Sequence, residues 1–131
     1  MRMRALWLML MLAPAPAFSE GAVQTFDCVT SALCDEDGAC APLGDTLVHP
    51  VTFRVEPVSV GPEGAGEYRI NYLDISASMT NVTGRGPLLW SEGNGDRQVV
   101  LFTSETNLLW RSFDSASARS VVSFLTCEMT R

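Results

Sequence analysis

Val51-Thr52-Phe53-Arg54-Val55-Glu56 alternates apolar and polar residues without a break. A period of two puts Val51, Phe53 and Val55 on one face of an extended strand and Thr52, Arg54 and Glu56 on the other. The pattern recurs downstream: Tyr68, Ile70 and Tyr72 alternate with polar neighbours, as do Ile75, Ala77 and Met79. Stretches 87–90, 97–103, 107–113 and 119–127 are rich in Val, Leu, Phe and Trp and read as further strands. The connectors Glu92-Gly93-Asn94-Gly95-Asp96, Ser104-Glu105-Thr106 and Asp114-Ser115-Ala116-Ser117 are short, polar and suited to hairpins. Residues 58–66, beside Pro57 and holding Pro62 and glycines, read as the one long loop. The expected fold is all-β: an antiparallel meander of about eight strands closing as a small, disulfide-bonded barrel or barrel-like sandwich. Residues 99–102 and 121–124 are apolar at consecutive positions and so on both faces, which calls for a loop, the N-terminal segment or a partner over the outer side.

The first residues carry an address. Arg2 and Arg4 precede the apolar run Ala5 to Ala13, and Ala15-Pro16-Ala17 forms a small-residue exit, the pattern of a signal peptide over 1–17. The run is shorter than the roughly 20 residues a membrane-spanning helix needs, so no membrane anchor is expected. Residues 18–131 form a single domain, expected to be periplasmic or secreted. Four cysteines, at 28, 34, 40 and 127, allow three pairings that spacing alone does not decide. Asp37-Gly38 is a turn dipeptide that folds the short segment back on itself, which favours Cys34 with Cys40 and leaves Cys28 to tie the first strand to the last through Cys127. The gaps are not those of a C-x-x-C zinc site.

All nine basic residues are arginines, and the formal net charge of −6 becomes −8 once Arg2 and Arg4 leave with the signal. A field of that sign repels phosphate backbones, so no nucleic-acid partner is expected, and general-base lysine chemistry has no residue to use. The one histidine, His49, lies before Pro50 without a second imidazole for a metal. No nucleophile elbow, H-E-x-x-H pair or phosphate-binding glycine loop is present. Asp35, Glu36 and Asp37 lack the spacing that wraps ligands round calcium, because Gly38 follows too soon. Asn81-Val82-Thr83 matches a glycosylation sequon, but the short apolar run and A-x-A exit have a bacterial character, and Asn81 reads as a strand or turn residue. The expectation is a protein that is not an enzyme and takes no cofactor or metal.

Two resemblances bear on the fold. Cys28 ahead of a short Cys34 to Cys40 loop, with Phe124-Leu125-Thr126-Cys127-Glu128 near the end, resembles small secreted bacterial β-proteins of unassigned function. Leu89-Trp90-Ser91-Glu92-Gly93-Asn94-Gly95-Asp96 is similar to a stretch of the periplasmic inhibitors of C-type lysozyme, which implies a small eight-stranded barrel held by a disulfide. That family's W-S-K-G lysine is replaced here by Glu92, and its S-G-x-x-Y loop does not occur, so neither inhibitory residue carries over. The expected role is binding an unknown protein partner through loops at one barrel end, with Glu92, Asn94 and Asp96 on one loop and Asp35, Glu36 and Asp37 on another. The alternatives are a lysozyme or hydrolase inhibitor, or a lipocalin-like carrier of a small apolar ligand. A carrier needs about 300 Å³ or more of cavity, lined by residues such as Tyr68, Tyr72, Met79 and Trp110.

Overall fold

A computed structural model describes residues 22–42 and 50–130. The expected signal segment and His49 lie outside the described residues. Among the described residues nine strands follow one another: β1 (Gln24–Asp35), β2 (Cys40–Pro42), β3 (Pro50–Val60), β4 (Gly66–Tyr72), β5 (Ile75–Asn81), β6 (Leu88–Ser91), β7 (Arg97–Phe102), β8 (Asn107–Asp114) and β9 (Arg119–Thr130). Each pairs antiparallel with its sheet neighbours, and β1 also pairs with β9. The sheet therefore closes on itself as an eight-stranded barrel of β1 and β3 to β9. Strand β3 takes the first half of one edge of β1, from Gln24 to Val29, and β2 takes Ala32 to Cys34 of the same edge.

Alternation decides which side chains fill the interior. Phe53 and Val55 of β3, Ile70 and Tyr72 of β4, Ala77 and Met79 of β5, Trp90 of β6, Val100 of β7, Leu108 of β8 and Leu125 of β9 are all buried in one cluster. Two devices bend the wall so that it closes. A bulge in β1 between Thr30 and Ala32 shifts its register against β9, which switches inward positions from even to odd numbers and adds local twist. A second lies in β3 between Pro57 and Ser59, where the missing proline N–H interrupts the ladder. This bulge explains a departure from the strand reading: pairing resumes through Ser59 and Val60, so the expected 58–66 loop shrinks to residues 61–65, while the short β2 adds a ninth strand outside the ring of eight.

The end of the barrel bearing residues 61–65 and 82–87 is sealed by side chains. Tyr68 Oη donates to Gly64 O at 2.7 Å. Buried Asn81 accepts the amides of Gly84 and Gly86 on one oxygen, each at 3.0 Å. The sequon asparagine is thus the last residue of β5 and an internal ligand of its own loop. Gly84, at φ +85°, lies so close to Glu63 O that a Cβ has no room.

Both disulfides join residues directly opposite in register, Cys28 with Cys127 across the closing β1–β9 seam and Cys34 with Cys40 across the β1–β2 hairpin. The first spans 99 residues of sequence and the second 6. Loop-closure entropy assigns about 4 to 5 kcal/mol to the long link and about 2 to the short one. Urea unfolding of Cys28→Ala/Cys127→Ala and Cys34→Ala/Cys40→Ala chains is expected to show the larger loss for the first pair. Equal losses contradict the entropic account.

Candidate functional site: the acidic end of the barrel

Four hairpins crowd the end opposite the Asn81 loop. In the β6–β7 turn, Glu92 N donates to Asp96 O at 2.8 Å and Gly95, at φ +90°, donates its amide to Glu92 O at 3.0 Å. That left-handed conformation is the reason a glycine sits at 95. Asn94 Oδ1 accepts the Asp96 amide and Asn94 Nδ2 donates to Asp96 Oδ2, each at 3.0 Å. The remaining Asp96 oxygen reaches the β8–β9 hairpin, accepting Ser115 N at 2.9 Å and Ser115 Oγ at 3.1 Å. The Ser115 amide, with smaller contributions from the Asn94 and Ser115 side chains, holds the Asp96 carboxyl below its ordinary range.

The β1–β2 hairpin is fixed in the same manner. Asp35 Oδ1 accepts the amides of Asp37 and Ala39 at 3.0 and 2.9 Å, an Asx-type turn beneath the Cys34–Cys40 link. Glu36 Oε2 accepts Ser120 N at 3.4 Å. The two loops singled out from sequence thus stand on either side of the β8–β9 hairpin, one held to Ser115 and the other to Ser120. Asp37 and Asn94 remain exposed, while Asp35 and Asp96 spend their carboxylates on the turns themselves.

Beneath the turns lies a polar network within the aromatic core. Trp110 Nε1 donates to Gln98 Oε1 at 2.7 Å, Gln98 Nε2 donates to Glu92 Oε1 at 3.2 Å, and Tyr72 Oη donates to the same Glu92 oxygen. Trp90 Nε1 donates to Tyr72 Oη at 3.4 Å. Phe53 packs edge-on to Trp90 and Trp110, and Tyr72 does the same. Glu92 therefore turns inward and closes the barrel mouth. Burial, reinforced by the Glu92 carboxylate, pushes the Tyr72 phenol well above its ordinary value of 10, and burial also raises Tyr68.

The network also explains why β5 and β6 are held together where their backbones part. Their pairing covers only Met79 to Asn81 against Leu88 to Trp90. Toward the turn end the ladder stops, and side-chain contacts from Tyr72 of β4 to Glu92 and Trp90 bridge the seam from within. Gln98 was not singled out from sequence, yet it shares parity with Val100 on β7, and that alternation marks it as inward. Phe53, Tyr72 and Trp90 belong to the core and Trp110 packs against it; their polar atoms become visible as a network only once the strands are in register.

Tyr68, Tyr72 and Met79 are packed into the barrel, and Trp110 packs against it. The interior void lined by Phe26, Phe53, Ile70 and Leu108 measures about 10 Å³, no more than a single water requires. A larger groove of about 630 Å³ runs over the outer wall past Glu67, Thr80, Leu89 and Arg97, open to solvent. Among the described residues no three His, Cys, Asp or Glu side chains converge as a metal-binding group. Comparison with protein-family models, curated proteins and solved structures found no match.

Two outcomes follow from this arrangement. Keeping both phenols neutral stabilises the folded chain fully below about pH 10, and that stabilisation is lost as pH rises through their raised folded values. Spectrophotometric titration is expected to show phenolate appearing together with alkaline unfolding; reversible ionisation near pH 10 in a folded chain contradicts it. Tyr72→Phe, which removes one donor from Glu92, is expected to lower stability by about 1 kcal/mol in urea.

Proposed function

We propose that this protein is exported and acts as a non-catalytic binding module, docking a basic protein surface with the acidic end of its barrel. The observation that carries the reading is the convergence of carboxylates on rigid hairpins at one end: Asp35, Glu36 and Asp37 at β1–β2, Asp74 at β4–β5, Glu92 and Asp96 at β6–β7, and Asp114 at β8–β9. Turns whose backbone amides are already satisfied lose little entropy on binding, and seven carboxylates against the flanking Arg97 and Arg119 leave this rim net acidic, a sign that steers a basic partner. The packed interior directs binding to the surface, because a void of about 10 Å³ gives a small apolar ligand no seat. Export is supported by the absence of a free cysteine among the described residues, both pairs being disulfides, a state that persists in oxidising compartments.

The inhibitor reading shares this end of the barrel but draws on a different residue pattern. Glu92, at the place of the inhibitor family's lysine, points to Tyr72 and Gln98 and not into solvent. A partner is instead met by exposed groups such as Asp37, Asp74 and Asn94.

Protein recovered from its own host is expected to begin just after Ala17; a chain beginning at Met1 contradicts export. Used as immobilised bait in extracytoplasmic extract, it is expected to retain a basic protein that is released by salt. An Asp37→Asn/Asp74→Asn chain, which leaves every turn hydrogen bond in place, is expected to bind that protein at least tenfold more weakly. Retention indifferent to both the substitutions and salt contradicts the proposed site.

A further inference from the structure

The outside of the barrel consists of two unlike walls. Across β3, β4 and β5 the outward positions include Thr52, Arg54, Glu67, Arg69, Ser76 and Ser78, all polar. Across β7, β8, β9 and β1 the register sets Leu101 opposite Leu109, Leu109 opposite Phe124 and Phe124 opposite Ala32, forming one apolar row over four strands. These are outward positions, since Leu109 and Phe124 alternate with buried Leu108 and Leu125. Leu101 is 41% exposed and Phe124 40%. In the next row toward the acidic end, Val99 and Val122 flank Arg111. This is the face that the doubly apolar stretches 99–102 and 121–124 left in need of a cover.

Charge is graded along this wall. On the acidic-turn side of the apolar row stand Arg111 and then Arg97. On the other side come Asn107, Thr126 and Val29, and beyond them Glu105 and Glu128. Glu128 lies directly opposite Asp27 in the β1–β9 ladder, a like-charge pairing that is unfavourable by itself. Asp27 accepts a hydroxyl from Thr52 at 2.7 Å. The ion pair found among the described residues is Arg54 with Glu56, on the other wall.

We propose that this wall is the interface of a homodimer, two barrels stacked face to face about a twofold axis running along the Leu101–Leu109–Phe124 row. The occupant follows from the gradient. A twofold along that row lays the apolar row on its own copy and turns the arginine half of each wall over the carboxylate half of the other, so the surface complements itself. Arg97 of one copy then approaches the β7–β8 turn of the other, where Glu105 lies. Homodimer interfaces are more apolar than transient ones, and two antiparallel faces stack in this way in β-sandwiches. The apolar row lies down the strands from the acidic turns, and Arg97, next to Asp96, stands where the two surfaces border.

Sedimentation equilibrium of the intact protein tests the assignment. The expected result is a two-copy particle whose dissociation constant rises at least tenfold in Phe124→Asp and in Leu101→Asp. Arg97→Glu is expected to weaken it, and adding Glu105→Arg to the same chain to restore it. Far-UV circular dichroism and melting establish that each variant is folded; where Phe124→Asp is not, Leu101→Asp and the charge exchange, both at surface positions, carry the test. A single-copy particle at every concentration, whether bare or holding another protein, overturns the proposal, and so does a dimer indifferent to these substitutions.

Discussion

The pairing of β1 with β9 is the constraint on which the rest depends. An open nine-stranded sheet with this sequence would leave two long edges unpaired and half of its apolar side chains without an opposing wall. Closing the sheet removes those edges and turns one face into an interior. The register of the closing seam brings Cys28 opposite Cys127, so the covalent link holds together the two strands farthest apart in sequence. A one-residue slip along that seam would turn either Phe26 and Cys28 of β1 or Leu125 and Cys127 of β9 outward. The disulfide fixes the register as well as the distance.

Closure then determines where chemistry can occur. A ring of eight strands has an interior that side chains can fill, and here Ile70, Met79 and Leu125 are the large side chains most fully enclosed. The polar groups admitted to that interior are those whose partners lie within reach. Gln98 lies between Trp110 and Glu92, and Glu92 accepts from both Gln98 and Tyr72. No buried side-chain nitrogen or oxygen is left without a partner among the described residues. With the inside committed to packing, recognition falls to the rigid turns and to the outer wall.

Much of this was legible in the sequence, for definite reasons. Alternation in residues 51–56, 68–72 and 75–79 reports a half-buried strand directly, and Asp37-Gly38 between two cysteines reports a hairpin. Both disulfides were favoured on those grounds and are formed. What alternation does not report is register. The choice between barrel and sandwich turned on the bulges at Thr30/Ala32 and Pro57/Ser59, which local pattern marks poorly, and the Pro57 bulge also made a paired strand end look like a loop. Glu92 resembled a solvent-facing loop residue because its partners, Tyr72 and Gln98, are distant in sequence or hidden among apolar neighbours.

Native-state hydrogen exchange tests the closed barrel most directly, because amide protection reports pairing strand by strand. If β1 and β9 close the ring, their facing amides are expected to exchange only through the same global opening as those of β4 and β5, with matching dependence on denaturant. Exchange of the β1 and β9 amides through a separate, low-energy opening while β4 and β5 stay protected would contradict the account.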